Sequence, residues 1–67
     1  MAPTPLSCPP ETTVQAAAAL MRDHHVSSLC VTLGDALAGI VTVRDISGKV
    51  VAAALPPETR VRDVMTA

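Results

Sequence analysis

Gly39-Ile40-Val41-Thr42-Val43-Arg44-Asp45-Ile46 is the stretch on which the reading of this chain turns. Its first half is apolar and β-branched, the composition of a strand end. Thr42 followed three residues later by Asp45 is a helix start: a threonine hydroxyl suits the N-cap, and a carboxylate at N3 meets the positive end of the helix. The spacing predicts a strand that passes directly into a helix. Ile46, Val50 and Ala53 would form the apolar stripe of that helix, with Lys49 exposed. Gly48 weakens it by about 1 kcal/mol relative to alanine. Pro56-Pro57 predicts its end near Leu55.

Working back from this stretch, Ala36–Thr42 and Val26–Leu33 are two β-favouring runs separated by Gly34-Asp35, a pair suited to a two-residue type II′ hairpin. Both runs are nearly continuous in apolar residues, as expected of a sheet covered on both faces. The chain's own helices can cover one face, and the other calls for a partner. Ahead of the hairpin, Thr12 and Gln15 have the spacing of a capping box. Val14, Ala17, Ala18 and Met21 then fall at i, i+3, i+4 and i+7 and predict one buried stripe, which Arg22, Asp23, His24 and His25 terminate with polar groups. The alanines permit close packing against a sheet. Leu6–Cys8, flanked by prolines, fits only a short edge strand.

Downstream, Pro56-Pro57-Glu58-Thr59-Arg60-Val61 echoes Pro9-Pro10-Glu11-Thr12-Thr13-Val14. The echo is read as two similar helix starts rather than a repeat. The predicted order is strand, helix, strand, strand, helix and a C-terminal helix stub. That is an α/β (α+β) unit of three strands and two helices.

Composition narrows the function. The chain has 67 residues, enough for one small domain, and a domain of this size buries only about 60% of its unfolded surface. It is 49% hydrophobic and 16% charged, with mean hydropathy +0.42, too apolar for intrinsic disorder. Net charge is −1 and Phe, Tyr and Trp are absent. With neither a basic field nor a stacking platform, nucleic acid is not expected as a partner. No apolar run is long enough to cross a membrane, and Met1–Pro5 lacks the basic and apolar parts of a leader, so a cytoplasmic location is expected. Cys8 and Cys30 are expected to stay reduced and act as small hydrophobes. His24 and His25 diverge by roughly 100° on a helix and cannot share a metal. No metal-ligand spacing, no nucleophile–base pairing and no glycine-rich phosphate loop is present, so neither a metal site nor an enzyme is expected.

The chemistry that the residues do allow gathers at the start of the second helix. Thr42 can hydrogen-bond a phosphate oxygen, Arg44 can add a charge-assisted contact, and the two oxygens of Asp45 suit the paired hydroxyls of a ribose. On spacing alone the plainer reading is the stronger: Thr42 and Asp45 cap a helix, and Arg44 is a solvated charge.

The phrases Thr12-x-Val14-x-x-Ala17-x-x-x-Met21, Val26-Ser27-Ser28-Leu29-x-Val31 and Gly39-Ile40-Val41-Thr42-x-Arg44-Asp45-Ile46 together resemble the CBS domain, named after cystathionine β-synthase. Val61-Arg62-Asp63-Val64-Met65-Thr66 looks like the phrase that opens a following repeat. The resemblance implies a β-α-β-β-α unit over residues 1–56, with 57–67 as a connector toward a second repeat, and hence a fragment of a larger protein. It implies packing through the sheet face against a second repeat or, in a homodimer, against a second copy. It further implies a regulatory role: an adenosine nucleotide bound between repeats (AMP, ADP, ATP or S-adenosylmethionine) would control an attached effector domain, with no cofactor required. Carried over by position, Asp45 would hold ribose, Thr42 phosphate, and Arg44 would assist. Adenine would lie against Leu6, Ser7 and Cys8 and against Val26, Ser27 and Ser28, gripped by aliphatic side chains and read by backbone hydrogen bonds. Val50–Thr59 is similar to CBS regions of bacterial signalling proteins that also carry cyclic-nucleotide-binding and nucleotidyltransferase-like domains. The alternative is a ligand-free dimerisation module.

Overall fold

β1 (Ser7–Cys8) runs parallel to β2 (Ser28–Leu33), which turns back antiparallel into β3 (Ala36–Thr42), giving a mixed sheet of order β1-β2-β3. The computed structural model describes residues 6–67. Met1–Pro5, read above for a leader and as the start of the 1–56 unit, lie outside the described residues. Gly34 takes φ +62°, a conformation open to glycine, while Asp35 keeps negative φ. Positive φ at the first turn position alone is the pattern expected of a II′ hairpin. Val31 pairs with Gly39 and Thr32 with Leu37, so Ala38 is an extra residue on β3 and the ladder shifts there.

α1 (Val14–His24) buries Val14, Ala17 and Met21 against Leu29, Val31 and Val41 of the sheet. Ala18, predicted with them, is only half-buried. The N-cap is Thr13, whose hydroxyl accepts from the Ala16 N–H at 3.1 Å, and not Thr12 with Gln15. The cause lies far along the chain. The Thr12 carbonyl accepts the Val61 N–H at 2.8 Å and Thr13 bridges Arg60, so a pairing that no local pattern reveals takes the Thr12 carbonyl, and the helical ladder starts one residue later, from the Thr13 carbonyl. At the other end His25 adopts φ 55°. Its N–H reaches the Arg22 carbonyl and the Val26 N–H reaches that of Met21, the paired bonds of a Schellman cap. Ser27 follows, and the strand begins at Ser28 rather than at Val26.

α2 (Val43–Ile46) starts where the sequence places it, directly from β3. From Ser47 to Val51 the helix widens into a π turn, with the Ala52 N–H bonded to the Ser47 carbonyl at 2.9 Å. Val50 is buried, Ile46 is half-buried and Ala53 is exposed, so the stripe is two residues and not three. Ala54 closes the helix at φ 59°, with the same two-bond cap as α1 (Ala54 N–H to Val51, Leu55 N–H to Val50).

The C-terminal segment turns once as a 3-10 helix (Val61–Asp63) and then packs back on the fold. Val61 and Val64 are fully buried members of the core, beside Cys8, Val14, Leu29, Val31, Val41 and Val50. Thr66 pairs antiparallel with Ile40 on the free edge of β3. The core thus contains no aromatic ring and depends on side chains from both ends of the described chain.

The sheet is covered on one face only. Leu29, Val31 and Val41 point into the core, while Ser28, Cys30, Ile40 and Thr42 share the opposite face. On and around that face Leu33, Leu37 and Ile40 are 70%, 62% and 41% exposed. The expectation of a sheet enclosed on both sides is met from within the chain on one side alone.

Candidate functional site

Thr42 ends β3 in extended conformation, and its side chain becomes the first cap of α2. Its hydroxyl accepts the Asp45 N–H at 3.0 Å, and Asp45 Oδ2 accepts the Thr42 N–H at 3.0 Å and hydroxyl at 3.1 Å. The capping box expected from the sequence is therefore complete. Asp45 is the sole buried charged residue among the described residues, at 9% exposure. Its other oxygen, Oδ1, lies 3.1 Å from Lys49 Nζ and 3.5 Å from the Thr66 hydroxyl. Burial alone would raise the Asp45 pKa, but the Thr42 N–H, Lys49 and the Thr42 hydroxyl outweigh it and hold the carboxyl below its ordinary value.

Two depressions open on either side of this cap, and both are lined by Thr42 and Arg44. One, of about 540 Å³, adds Ser27, Ser28 and Val43 and mixes polar and apolar lining. The other, of about 490 Å³, adds Leu37, Gly39, Ile40, Asp45, Thr66 and Ala67 and is mainly apolar in its lining. The β2–β3 register produces this arrangement. Ser28 stands opposite Thr42, and the Ser27 carbonyl accepts the Val43 N–H at 3.0 Å, which ties the entry of β2 to the entry of α2.

The other residues assigned by resemblance are distributed more widely. Val26 lines a separate apolar groove of about 260 Å³ with Ala18, Met21, Arg22, Val43 and Ile46, between α1 and α2. Leu6, Ser7 and Cys8 lie at β1, with β2 between them and Thr42. The Leu6 carbonyl is taken by the Cys30 N–H at 2.9 Å, and the Cys8 side chain is in the core. Burial pushes the Cys8 thiol up, with Cys30 adding to the rise and a Thr12 hydrogen bond opposing it. Ser7 is exposed.

Two residues at the site escape a sequence reading. Lys49 is exposed, as expected, yet its ammonium bridges Asp45 and the Val64 carbonyl, to which it donates at 2.9 Å. The i, i+4 spacing from Asp45 was its available signal. Thr66 arrives through long-range packing and has no local signal. Among the described residues no three His, Cys, Asp or Glu side chains are grouped to hold a metal ion, and no helix is long and apolar enough to cross a membrane.

With this geometry in place, the chain can be set beside known proteins. The family model for the CBS domain matches residues 1–52. A CBS domain-containing protein of Arabidopsis thaliana, CBSCBSPB3, is 45% identical over 58 residues, which cover 85% of this chain and 10% of that protein. The chain thus spans about a tenth of the length of the curated relative it matches. Among solved structures, a candidate signal-transduction protein with CBS domains from Burkholderia ambifaria MC40-6 superposes with TM-score 0.91 at 38% identity, over 96% of this chain and 48% of that one. A cystathionine beta-synthase domain protein fused to a Zn-ribbon-like domain gives TM-score 0.89 at 37% identity, over 91% and 89%. The hexameric CBS-CP12 protein from bloom-forming cyanobacteria gives 0.83 at 30% identity, over 94% and 39%. The matched span holds the capped turn at Thr42 and Asp45, the hairpin before it and α1, and on that ground the chain belongs to the CBS domain family.

Proposed function

We propose that this chain is one half of a paired regulatory module that senses an adenosine nucleotide and passes its occupancy to an attached effector domain. One observation carries the reading: the hydroxyls of Ser27, Ser28 and Thr42 and the guanidinium of Arg44 border one open depression at the β3–α2 junction. The hydroxyls of Ser27 and Ser28 and the guanidinium of Arg44 are donors for phosphate oxygens, and Arg44 gives them charge; the Thr42 hydroxyl, which donates to Asp45 Oδ2, would have to turn from the capping box to join them. The nearby aliphatic side chains of Val43 and Ile40 offer surface for a base in a chain without aromatic rings. A second repeat, or a second copy of this chain, would close the depression from the side of the exposed sheet face. Residues 57–67 would serve as the connector to that repeat in a cytoplasmic protein. AMP, ADP, ATP or S-adenosylmethionine would be the regulatory ligand, with no cofactor and no catalysis of its own. Such a ligand shifts the relative orientation of two repeats only by the difference in its affinity for the two arrangements.

A second reading, a ligand-free dimerisation module, is favoured by the exposed Leu33, Leu37 and Ile40. Titration calorimetry with the four nucleotides, on the chain and on its Asp45→Ala variant, separates the two. Under sensing, at least one nucleotide binds the parent and affinity collapses in the variant while self-association persists. Under dimerisation alone, no nucleotide gives heat, and the variant loses only the stability that the Asp45 hydrogen bonds and the Lys49 ion pair supply, about 1–3 kcal/mol.

A further inference from the structure

The two oxygens of Asp45 face different neighbours. Oδ2 stays within the first turn of α2, held by the N–H and hydroxyl of Thr42. Oδ1 is turned toward the C-terminal segment, 3.1 Å from Lys49 Nζ and 3.5 Å from the Thr66 hydroxyl. Lys49 also donates to the Val64 carbonyl at 2.9 Å, and Thr66 exchanges two backbone hydrogen bonds of 2.9 Å with Ile40. The π turn carries Lys49, and Asp45 and Thr66 line the same depression.

We infer that Asp45 and Lys49 form a latch that holds residues 64–67 on the edge of β3, and that a ligand diol reaching Asp45 Oδ1 opens it. The latch itself needs no ligand, while its opening rests on the nucleotide reading given above. A carboxylate oxygen has two lone pairs, and Lys49 and Thr66 engage those of Oδ1. A ribose hydroxyl bound there must displace one of them. Losing the Oδ1 anchor frees Lys49 from its position at the Val64 carbonyl, and the segment paired with Ile40 loses its side-chain tie. By linkage, a docked segment weakens ligand binding as much as bound ligand weakens docking. Residues 57–67 are the proposed connector, so release of 64–67 would be a physical route from an occupied site to the second repeat.

Amide hydrogen exchange followed by NMR on the whole chain tests the latch. Lys49→Met keeps most of the side-chain stem and removes the charge, and Lys49→Arg restores it. In Lys49→Met the amides of Thr66 and Ile40 should exchange about tenfold faster, those of Leu20 and Met21 in α1 should not change, and Lys49→Arg should recover most of the protection. Unchanged protection at Thr66 in Lys49→Met overturns the latch. Added AMP should speed the same two amides in the parent, and Lys49→Met should bind AMP several-fold more tightly, because a competitor is gone. AMP binding that leaves Thr66 protected overturns the competition. Failure of AMP, ADP, ATP and S-adenosylmethionine alike to bind overturns the nucleotide reading and the competition with it, while the Lys49→Met exchange result still decides the latch.

Discussion

Gly39 and Thr66 meet where a side chain has no room: a Cβ on Gly39 would stand 2.8 Å from the Thr66 carbonyl oxygen and 3.0 Å from Met65 Sδ. The missing side chain lets Met65 and Thr66 lie close along β3, with Val64 in the core and Thr66 beside Asp45. Gly39→Ala should therefore displace residues 64–66, destabilising the fold by about 1–3 kcal/mol. Urea unfolding measures the loss. The displacement predicts that amide protection falls first at Thr66 and Ile40, ahead of the hairpin.

Asp45 makes stability depend on pH. Its carboxyl is depressed in the folded state, so its contribution is fully present above the unfolded value of about 3.9 and is lost as pH falls through the folded value. Asp45→Asn removes the charge and keeps the shape. The parent should exceed the variant by about 0.5–2 kcal/mol at pH 7, and the gap should narrow only below about pH 4. Paired denaturation curves between pH 3 and 7 give the difference.

The end of the second helix predicts a gain. Ala54 sits at φ 59°, in the left-handed position of a Schellman cap where glycine carries no Cβ penalty. Ala54→Gly should raise stability by about 0.5–1 kcal/mol, read as a higher Tm by circular dichroism. Ala53→Gly, one residue earlier, should not.

Thiol chemistry reports on the bare sheet face. Cys8 lies in the core with its thiol pushed up by burial, while Cys30 is half-buried on the uncovered face beside Ile40. A thiol reagent at neutral pH should modify Cys30 at least tenfold faster than Cys8. If copies of the chain mate through this face, Cys30 labelling should slow as protein concentration rises, and Cys8 should keep its rate. Mass spectrometry of labelled peptides resolves the two.

The hairpin and the turn into α2 were legible in the sequence because their determinants are local: Gly34-Asp35 for the reversal, and Thr42 with Asp45 for the cap. The start of α1 was misplaced by one residue because Thr12 is claimed by Val61, forty-nine positions away. The exposure of Lys49 was legible, but its carbonyl partner, Val64, was not, because Val64 is reached only when the C-terminal segment folds back. Of the residues expected to grip a base, the hairpin register brings Ser27 and Ser28 to Thr42. Val26 goes to another groove because the α1 cap ends in its N–H, and β1 is kept apart by the intervening β2.

The most direct measurement is a proton–nitrogen correlation spectrum of the chain titrated in turn with AMP, ADP, ATP and S-adenosylmethionine. Nucleotide sensing at the β3–α2 junction predicts saturable shifts concentrated at the amides of Ser27, Ser28, Thr42, Val43 and Arg44, with secondary changes at Ile40 and Thr66 and none at Ala18. A spectrum that stays unmoved by all four nucleotides, or that moves only in the groove of Ala18, Met21 and Ile46, contradicts it.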